Sequence, residues 1–448
     1  MNNSILSRFD GCSDIDRIRA VVTVRPKPLA GLSLMHSHIA AETIFNALEE
    51  IFIPNDFSLE FIKEMADRAQ LHSQRMFGTE ESYVDKIYNP PKAEVTPVCL
   101  TGLAGIGKSQ TITALMKVMP EPTDSPYDHF NGPLSIRSYW HASARGKAAG
   151  KQMLSGFLGR DAAKGPTAGS LLNDCRRQAN MYVISLLILD ETQHVSTGQG
   201  AAKVTDILLT LTAIGPPMVY ACNYSLGHKL KGRNSEDKQR LLADPRVMLP
   251  DEPDSHAWQD YIQECMRVCN GHLKIDAAVL AEELYRATFG IKRLVVRLLK
   301  IAYLEARSAG RFDVVLADLD QAYASTAYSV SRGEVEELHR MAIQGGTSGR
   351  LDLLCPFDLP KQPRSNVVSF SSADRHHRVV TKVLHSSLTV QERAAKQGMA
   401  DVVPGLATEP VKPKRLPRLS KPTTDDMVRN FEQFKPKSDS SSKSKRPK

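Results

Sequence analysis

From His36 to about Phe77 apolar residues recur at helical spacing, with Ile39, Ile44, Phe45, Leu48 and Ile51 forming the first stripe. Pro54-Asn55-Asp56 interrupts the pattern, and a second helix is predicted from Leu59 to Met76. The stretch before it, residues 1 to about 34, is mixed and poorly periodic. Beyond Glu94 the period changes. VTPVCL is a short apolar run closing on Gly102, the pattern of a strand buried on both faces. Helical and strand-like segments then alternate: SQTITALMKVM, the strand Leu134–Ser143, SLLNDCRRQANMY, the strand Val183–Asp190, AAKVTDILLTLTAIG and the strand PMVYACN. Such alternation predicts an α/β core, a parallel sheet flanked by helices, over residues 91–255. From His256 to about Met341 only helical periods occur, which predicts an α-helical lid over 256–345. Residues 1–90 then form a helical N-terminal region, assigned to partner binding.

After Gly345-Gly346-Thr347-Ser348-Gly349 the apolar periods fade and Pro, Ser, Lys and Arg rise. Such a segment buries too little surface to offset the entropy of ordering, so 346–448 is predicted to be a largely disordered basic tail. Pro356–Lys448 holds 19 Lys and Arg against 9 Asp and Glu, a surplus of ten, whereas the whole chain carries +8. The tail therefore supplies the basicity, and it suits an acidic partner such as nucleic acid. Within it, residues 424–434 place Met427, Phe431 and Phe434 at i, i+4 and i+7 behind the capping residues Thr424-Asp425-Asp426. This reads as a short helix that folds into a partner's groove.

The remaining composition is that of an ordinary globular protein, 42% hydrophobic and 24% charged. No run approaches the roughly 20 apolar residues of a membrane helix, and the first residues lack the basic-then-apolar order of a secretory signal. The seven cysteines are scattered, and the Cys265/Cys269 pair lacks the second pair that a zinc site would want. They read as reduced thiols of a cytoplasmic protein.

The chemistry concentrates in Gly102-Leu103-Ala104-Gly105-Ile106-Gly107-Lys108-Ser109, followed by Gln110, which fits G-x-x-x-x-G-K-[ST] in full. Glycines let the backbone curl so that successive N–H groups face phosphate oxygens, and the following helix adds its positive end. Lys108 is expected on the β- and γ-phosphates of ATP and Ser109 on Mg2+. About 80 residues on, LLILDET ends an apolar strand in Asp190, a candidate ligand of the magnesium shell, and Glu191, the candidate base for the attacking water. Asn223, closing the next strand, is placed to touch both the γ-phosphate and that water. Arg293, opening the helix after Gly290-Ile291-Lys292, suits phosphate recognition by a guanidinium. Arg240 and Arg246, ahead of the lid, are candidates for an arginine inserted into a neighbouring subunit's site.

The order of these elements resembles that of AAA+ ATPases. More narrowly, the stretch from about Tyr83 to Ala324 is similar to the TnsC/TniB family of AAA+ transposition regulators. The likeness rests on SYVDKIY, GLAGIGKSQTI, SYWHASARGKAAGKQML, LLILDETQH and GIKRLVVRLLKIA together. It implies an ATPase that assembles as a ring or filament on double-stranded DNA when ATP is bound, links a target-selection protein to the transposase, and disassembles on hydrolysis. It also implies that Arg145, Lys147 and Lys151 contact DNA phosphates, and a nucleoid location for the bound form. The tail is longer than the family core requires, and Ala144–Gly150 departs from the usual Pro-rich form. Two other readings stay open: a replication initiator or helicase loader, and a signalling or defence NTPase with protein partners only.

Overall fold

Seven strands form in the computed structural model, which describes residues 5, 7–92, 94–126, 133–145, 150–159, 167–193, 200–344, 349–359, 366–389 and 392. They are β1 (Val98–Gly102), β2 (Thr123–Pro126), β3 (Pro133–Ile136), β4 (Tyr139–Ser143), β5 (Leu186–Asp190), β6 (Met218–Asn223) and β7 (Asp244–Met248). Five of them make one parallel sheet in the order β4-β5-β6-β1-β7, and β2 and β3 form a separate antiparallel pair. All five residues of β1 are buried, as its continuous apolar run requires of a strand covered on both faces.

The covering helices come from both ends of the chain. N-terminal to the sheet lie α1 (Ile15–Val22), α2 (Ser37–Glu49), α3 (Asp56–Phe77) and α4 (Glu80–Tyr88). Asp14 caps α1, accepting from the Arg17 N–H at 3.0 Å, and Asn55 caps α3, accepting from the Ser58 N–H at 2.9 Å. Next come α5 (Lys108–Val118), α6 (Gly150–Phe157), α7 (Ala168–Met181), α8 (Gly200–Thr212), α9 (Tyr224–Lys231) and α10 (Ser235–Leu241). One sheet face packs on α1, α3 and α5 through Ile18, Ile62, Met65, Ile112 and Leu115. The other packs on α6 to α10 through Leu154, Cys175, Leu208, Leu211 and Leu230. The result is a three-layer α/β/α core.

The lid consists of α11 (His256–Val268), α12 (Ala277–Thr288), α13 (Lys292–Ser308), α14 (Leu316–Ala324) and α15 (Ser329–Gln344). Its centre is Trp258, fully buried, whose ring stands edge-on to Tyr285 at 5.4 Å while its indole N–H donates to the Ala281 carbonyl at 3.1 Å. The same apolar cluster takes in Ala40, Ala41, Ile44 and Leu48 of α2.

Several expectations change here. The residues up to 34 that lack a clear period include α1, and α1 and α3 cover the sheet while α2 packs on the lid. Ile39 is 58% exposed, and Ala40 and Ala41 take the inward positions beside Ile44 and Leu48. The strand expected over Leu134–Ser143 divides at Arg137-Ser138, where the Arg137 N–H donates to the Tyr182 carbonyl and the Ser138 hydroxyl to the Pro120 carbonyl. β7 carries little apolar signal because it is an edge strand, which also tolerates Pro245.

Within the tail expected to be largely disordered from residue 346, the described parts pack on the rest of the chain. Leu353 is buried, Pro356 packs on Gly227, and the Leu354 and Pro356 carbonyls bond His228 Nε2 (2.8 Å) and Lys231 Nζ (2.5 Å) of α9. α16 (Asn366–Ser387) then docks on the lid, with Phe370 edge-on to Tyr285 at 5.2 Å and Ser371 bonded to His339 Nδ1. A composition average hides these few anchoring residues. The docking motif at 424–434 lies outside the described residues.

None of the seven cysteines is disulfide-bonded. Burial pushes the Cys265 and Cys269 thiols up, the latter to about 12. Among the described residues no helix is long and apolar enough to cross a membrane.

Candidate functional site

Because the five strands are parallel, their last residues emerge on one edge of the sheet. Gly102 of β1 is in register with Asn223 of β6, and β6 lies between β1 and the β5 strand that ends in Asp190. The acids are thus two strands from the glycine loop rather than on the adjacent one. At about 4.8 Å per strand spacing, that leaves roughly 10 Å between loop and acids.

The edge opens into a cleft of about 700 Å³, well within the range of small-ligand sites. Ala104, Gly105, Gly107, Lys108, Ser109, Gln110, Asp190, Glu191, Asn223, Arg293 and Arg145 all line it. Of the remaining loop residues, Gly102 ends β1, while Leu103 and Ile106 turn inward and are buried.

The loop's glycines are a steric requirement. Gly105 (φ 83°) and Gly107 (φ 118°) occupy the left-handed half of conformational space. A Cβ on Gly105 would lie 2.8 Å from Cβ of Arg293, and one on Gly102 would lie 2.6 Å from the Met248 carbonyl oxygen. The Arg293 N–H also donates to the Gly105 carbonyl at 3.2 Å. The glycine turn is therefore wedged between β7 and the first turn of α13, joining core to lid.

Lys108 opens α5 and is buried. Its ammonium donates to the carbonyls of Gly102 (2.9 Å) and Leu103 (2.7 Å), and among the described residues no carboxylate pairs with it. Burial depresses its pKa from 10.5 to about 8. A buried cation satisfied only by carbonyl dipoles is costly, and an anion entering the cleft would repay that cost.

Across the cleft, Asp190 Oδ1 accepts from the Glu191 N–H at 2.7 Å. Glu191 sits in the left-handed region (φ 57°), a sharp turn off the strand end. Gln193 Nε2 donates to Glu191 Oε2 at 3.1 Å, and the buried Thr192 hydroxyl ties the turn to the Ala221 carbonyl at 2.7 Å. Ser109 and Asp190 offer a hydroxyl and a carboxylate, hard oxygen donors of the kind Mg2+ takes.

The other nominated residues lie elsewhere. Arg240 pairs with Glu94 (3.3 Å) and Glu236 (3.0 Å). Arg246, on the edge strand β7, is held by both oxygens of Glu64 (2.8 and 2.7 Å) and by Asp244. Neither lines the cleft. Lys151 starts α6 without reaching the cleft, and Lys147 lies outside the described residues.

Sequence reasoning missed a second group of lining residues: Phe45, Leu48, Glu49 and Ile51 of the N-terminal region, with Gln193, Tyr261, Lys292 and Val296. Three of them belong to the first apolar stripe, but a period cannot separate a core face from a ligand-facing one. Gln110 links the two groups, since its Nε2 donates to the Glu49 carbonyl at 2.9 Å. Lys292 bonds to Asp251 at 3.3 Å and lies over the Tyr261 ring at 5.3 Å.

The strand order, the loop closing β1 and the acids closing β5 define a P-loop α/β core carrying a helical lid. No protein-family model and no curated protein matches the chain. Solved structures similar to it include the Aeropyrum pernix ORC2 protein in ADPNP–ADP complexes, at 12% identity and a TM-score of 0.40, covering 71% of this chain and 94% of that one. Drosophila ORC bound to DNA is similar at 12% identity and a TM-score of 0.34, covering 75% and 84%. The Thermotoga maritima RuvB Holliday junction branch migration motor is similar at 10% identity and a TM-score of 0.30, covering 64% and 77%.

Proposed function

We propose that the cleft binds ATP with Mg2+ and hydrolyses it to ADP and phosphate, and that this cycle switches a DNA-bound regulator of transposition. One observation carries the ATPase reading: Lys108, Ser109, Asp190, Glu191, Asn223 and Arg293, brought together from distant parts of the chain, line one cleft. The transposition reading rests on the ensemble of sequence features that resemble TnsC/TniB proteins.

In this mechanism the triphosphate lies along the glycine turn and draws Lys108 from the Gly102 and Leu103 carbonyls onto its oxygens. Ser109 and Asp190 would hold the metal ion, which would supply neutralising charge to the phosphates. Glu191, oriented by Gln193, accepts the proton of the attacking water. Asn223 orients that water against the γ-phosphate. Arg293 reports phosphate occupancy to α13, because its backbone is already bonded to the loop. Phe45, Leu48, Ile51 and Val296 supply an apolar wall for the base.

Binding should respond to pH through Lys108. Its pKa is about 8 in the folded protein, against 10.5 for a lysine side chain free in water. Between these values the folded form holds fewer protons than the unfolded one, so this group makes stability rise with pH across that window. Phosphate oxygens favour the charged form, so binding takes up a proton there. ATP affinity should fall as pH rises through about 8, by at most about tenfold per unit. Calorimetric titrations of the wild-type chain at several pH values check this, and an ATP affinity that does not change between pH 7 and pH 9 would contradict it.

The DNA reading is tested by electron microscopy of the chain with duplex DNA and a non-hydrolysable ATP analogue. Ordered oligomers should form with the analogue and not with ADP, and DNA affinity should fall steeply with salt. DNA binding indifferent to nucleotide would contradict the switch.

A further inference from the structure

We propose that Arg145 contacts the γ-phosphate of ATP bound in its own subunit and so makes the site discriminate ATP from ADP. The inference rests on the nucleotide reading of the cleft. It reassigns a residue that the family resemblance gives to DNA.

The backbone places it there. Ser143 of β4 is in register with Asp190, and the next residue, the buried Ala144, donates its N–H to the Asp190 carbonyl at 2.9 Å. Arg145 follows directly, its N–H turned back onto the Ser143 hydroxyl at 3.3 Å. The β4 pairing therefore delivers Arg145 to the cleft on the side of Asp190 and Glu191, across from the glycine loop.

The charges support the same assignment. Arg233, Arg240 and Arg246 are each occupied by carboxylates, at Asp237, at Glu94 and Glu236, and at Glu64 and Asp244. Lys292 is taken by Asp251. Arg145 is an exposed arginine of the cleft wall with no carboxylate partner among the described residues. A planar guanidinium suits phosphate oxygens and stays charged at any working pH.

During hydrolysis the water oxygen bonds to the γ-phosphorus, the bond from that phosphorus to the bridging oxygen breaks, and ADP leaves with the bridging electron pair. The water's proton passes to Glu191. Charge spreads over the non-bridging γ-oxygens in between, and Arg145 stabilises it there. ADP lacks the group that Arg145 would hold.

The experiment measures affinities of the full chain for a non-hydrolysable ATP analogue and for ADP, both with Mg2+, together with ATP turnover and the unfolding midpoint. The proteins are wild type, Arg145→Ala, Arg145→Lys and Lys108→Ala. Wild type should prefer the ATP analogue. Arg145→Ala should lose about 10- to 100-fold of analogue affinity while keeping its ADP affinity and its unfolding midpoint. Its turnover should fall by about 10³-fold or more, and Arg145→Lys should restore part of the preference. Duplex-DNA affinity is measured on the same proteins, and Arg145→Ala that keeps both preference and turnover overturns the assignment, whether or not it loses DNA affinity. In either case loss of binding by Lys108→Ala leaves the nucleotide reading standing. Wild type that binds neither nucleotide overturns both.

Discussion

Replacing Lys108 with alanine is expected to abolish detectable nucleotide binding without unfolding the protein. Removing one member of a buried charge pair costs about 2–5 kcal/mol, or roughly 30- to several-thousand-fold in Kd. The structure adds a second signature. Among the described residues the ammonium bonds to the Gly102 and Leu103 carbonyls, and burial drives its pKa to about 8. Its removal therefore relieves a desolvation cost, and the variant should unfold at a denaturant concentration no lower than wild type. Binding and unfolding measured on one preparation separate a lost phosphate contact from a damaged fold. A variant that binds ATP with wild-type affinity would show that the ligand does not reach this lysine.

Glu191→Gln should behave in the opposite way. The amide keeps the size of the carboxylate but cannot take a proton, so ATP affinity should stay within a few-fold. Turnover should fall by about 10²- to 10⁴-fold, the usual contribution of a positioned base. The left-handed backbone at Glu191 is unaffected by this change, and an amide can still bond to Gln193. If ATP holds the protein on DNA, the variant should remain there longer than wild type. Steady-state phosphate release and dissociation from labelled duplex check both parts. Normal hydrolysis by Glu191→Gln would remove the assignment of the base.

These candidate residues were legible because the motifs that contain them are contiguous in sequence. A phosphate-binding turn must be built from neighbouring residues, and an acid pair that ends a buried strand stands out against it. The strands β1, β5 and β6 were legible for the same reason, being apolar throughout. What escaped depends on separation along the chain. Phe45 and Ile51 reach the cleft only because α2 packs on α13, some 250 residues later. Arg246 has the sequence context of an inter-subunit arginine, yet Glu64, from a distant helix, holds it in place. The segment around Leu353 looked featureless because its anchoring bonds are backbone carbonyls, which carry no residue signature.

The most direct test is a crystal structure with a non-hydrolysable ATP analogue and Mn2+, the ion standing in for Mg2+ and located by its anomalous signal. The triphosphate should lie along Gly105–Ser109 with Lys108 turned onto it, and one manganese peak should sit about 2.1 Å from the Ser109 hydroxyl, facing Asp190. A nucleotide bound elsewhere, or a metal peak far from both residues, would contradict the account.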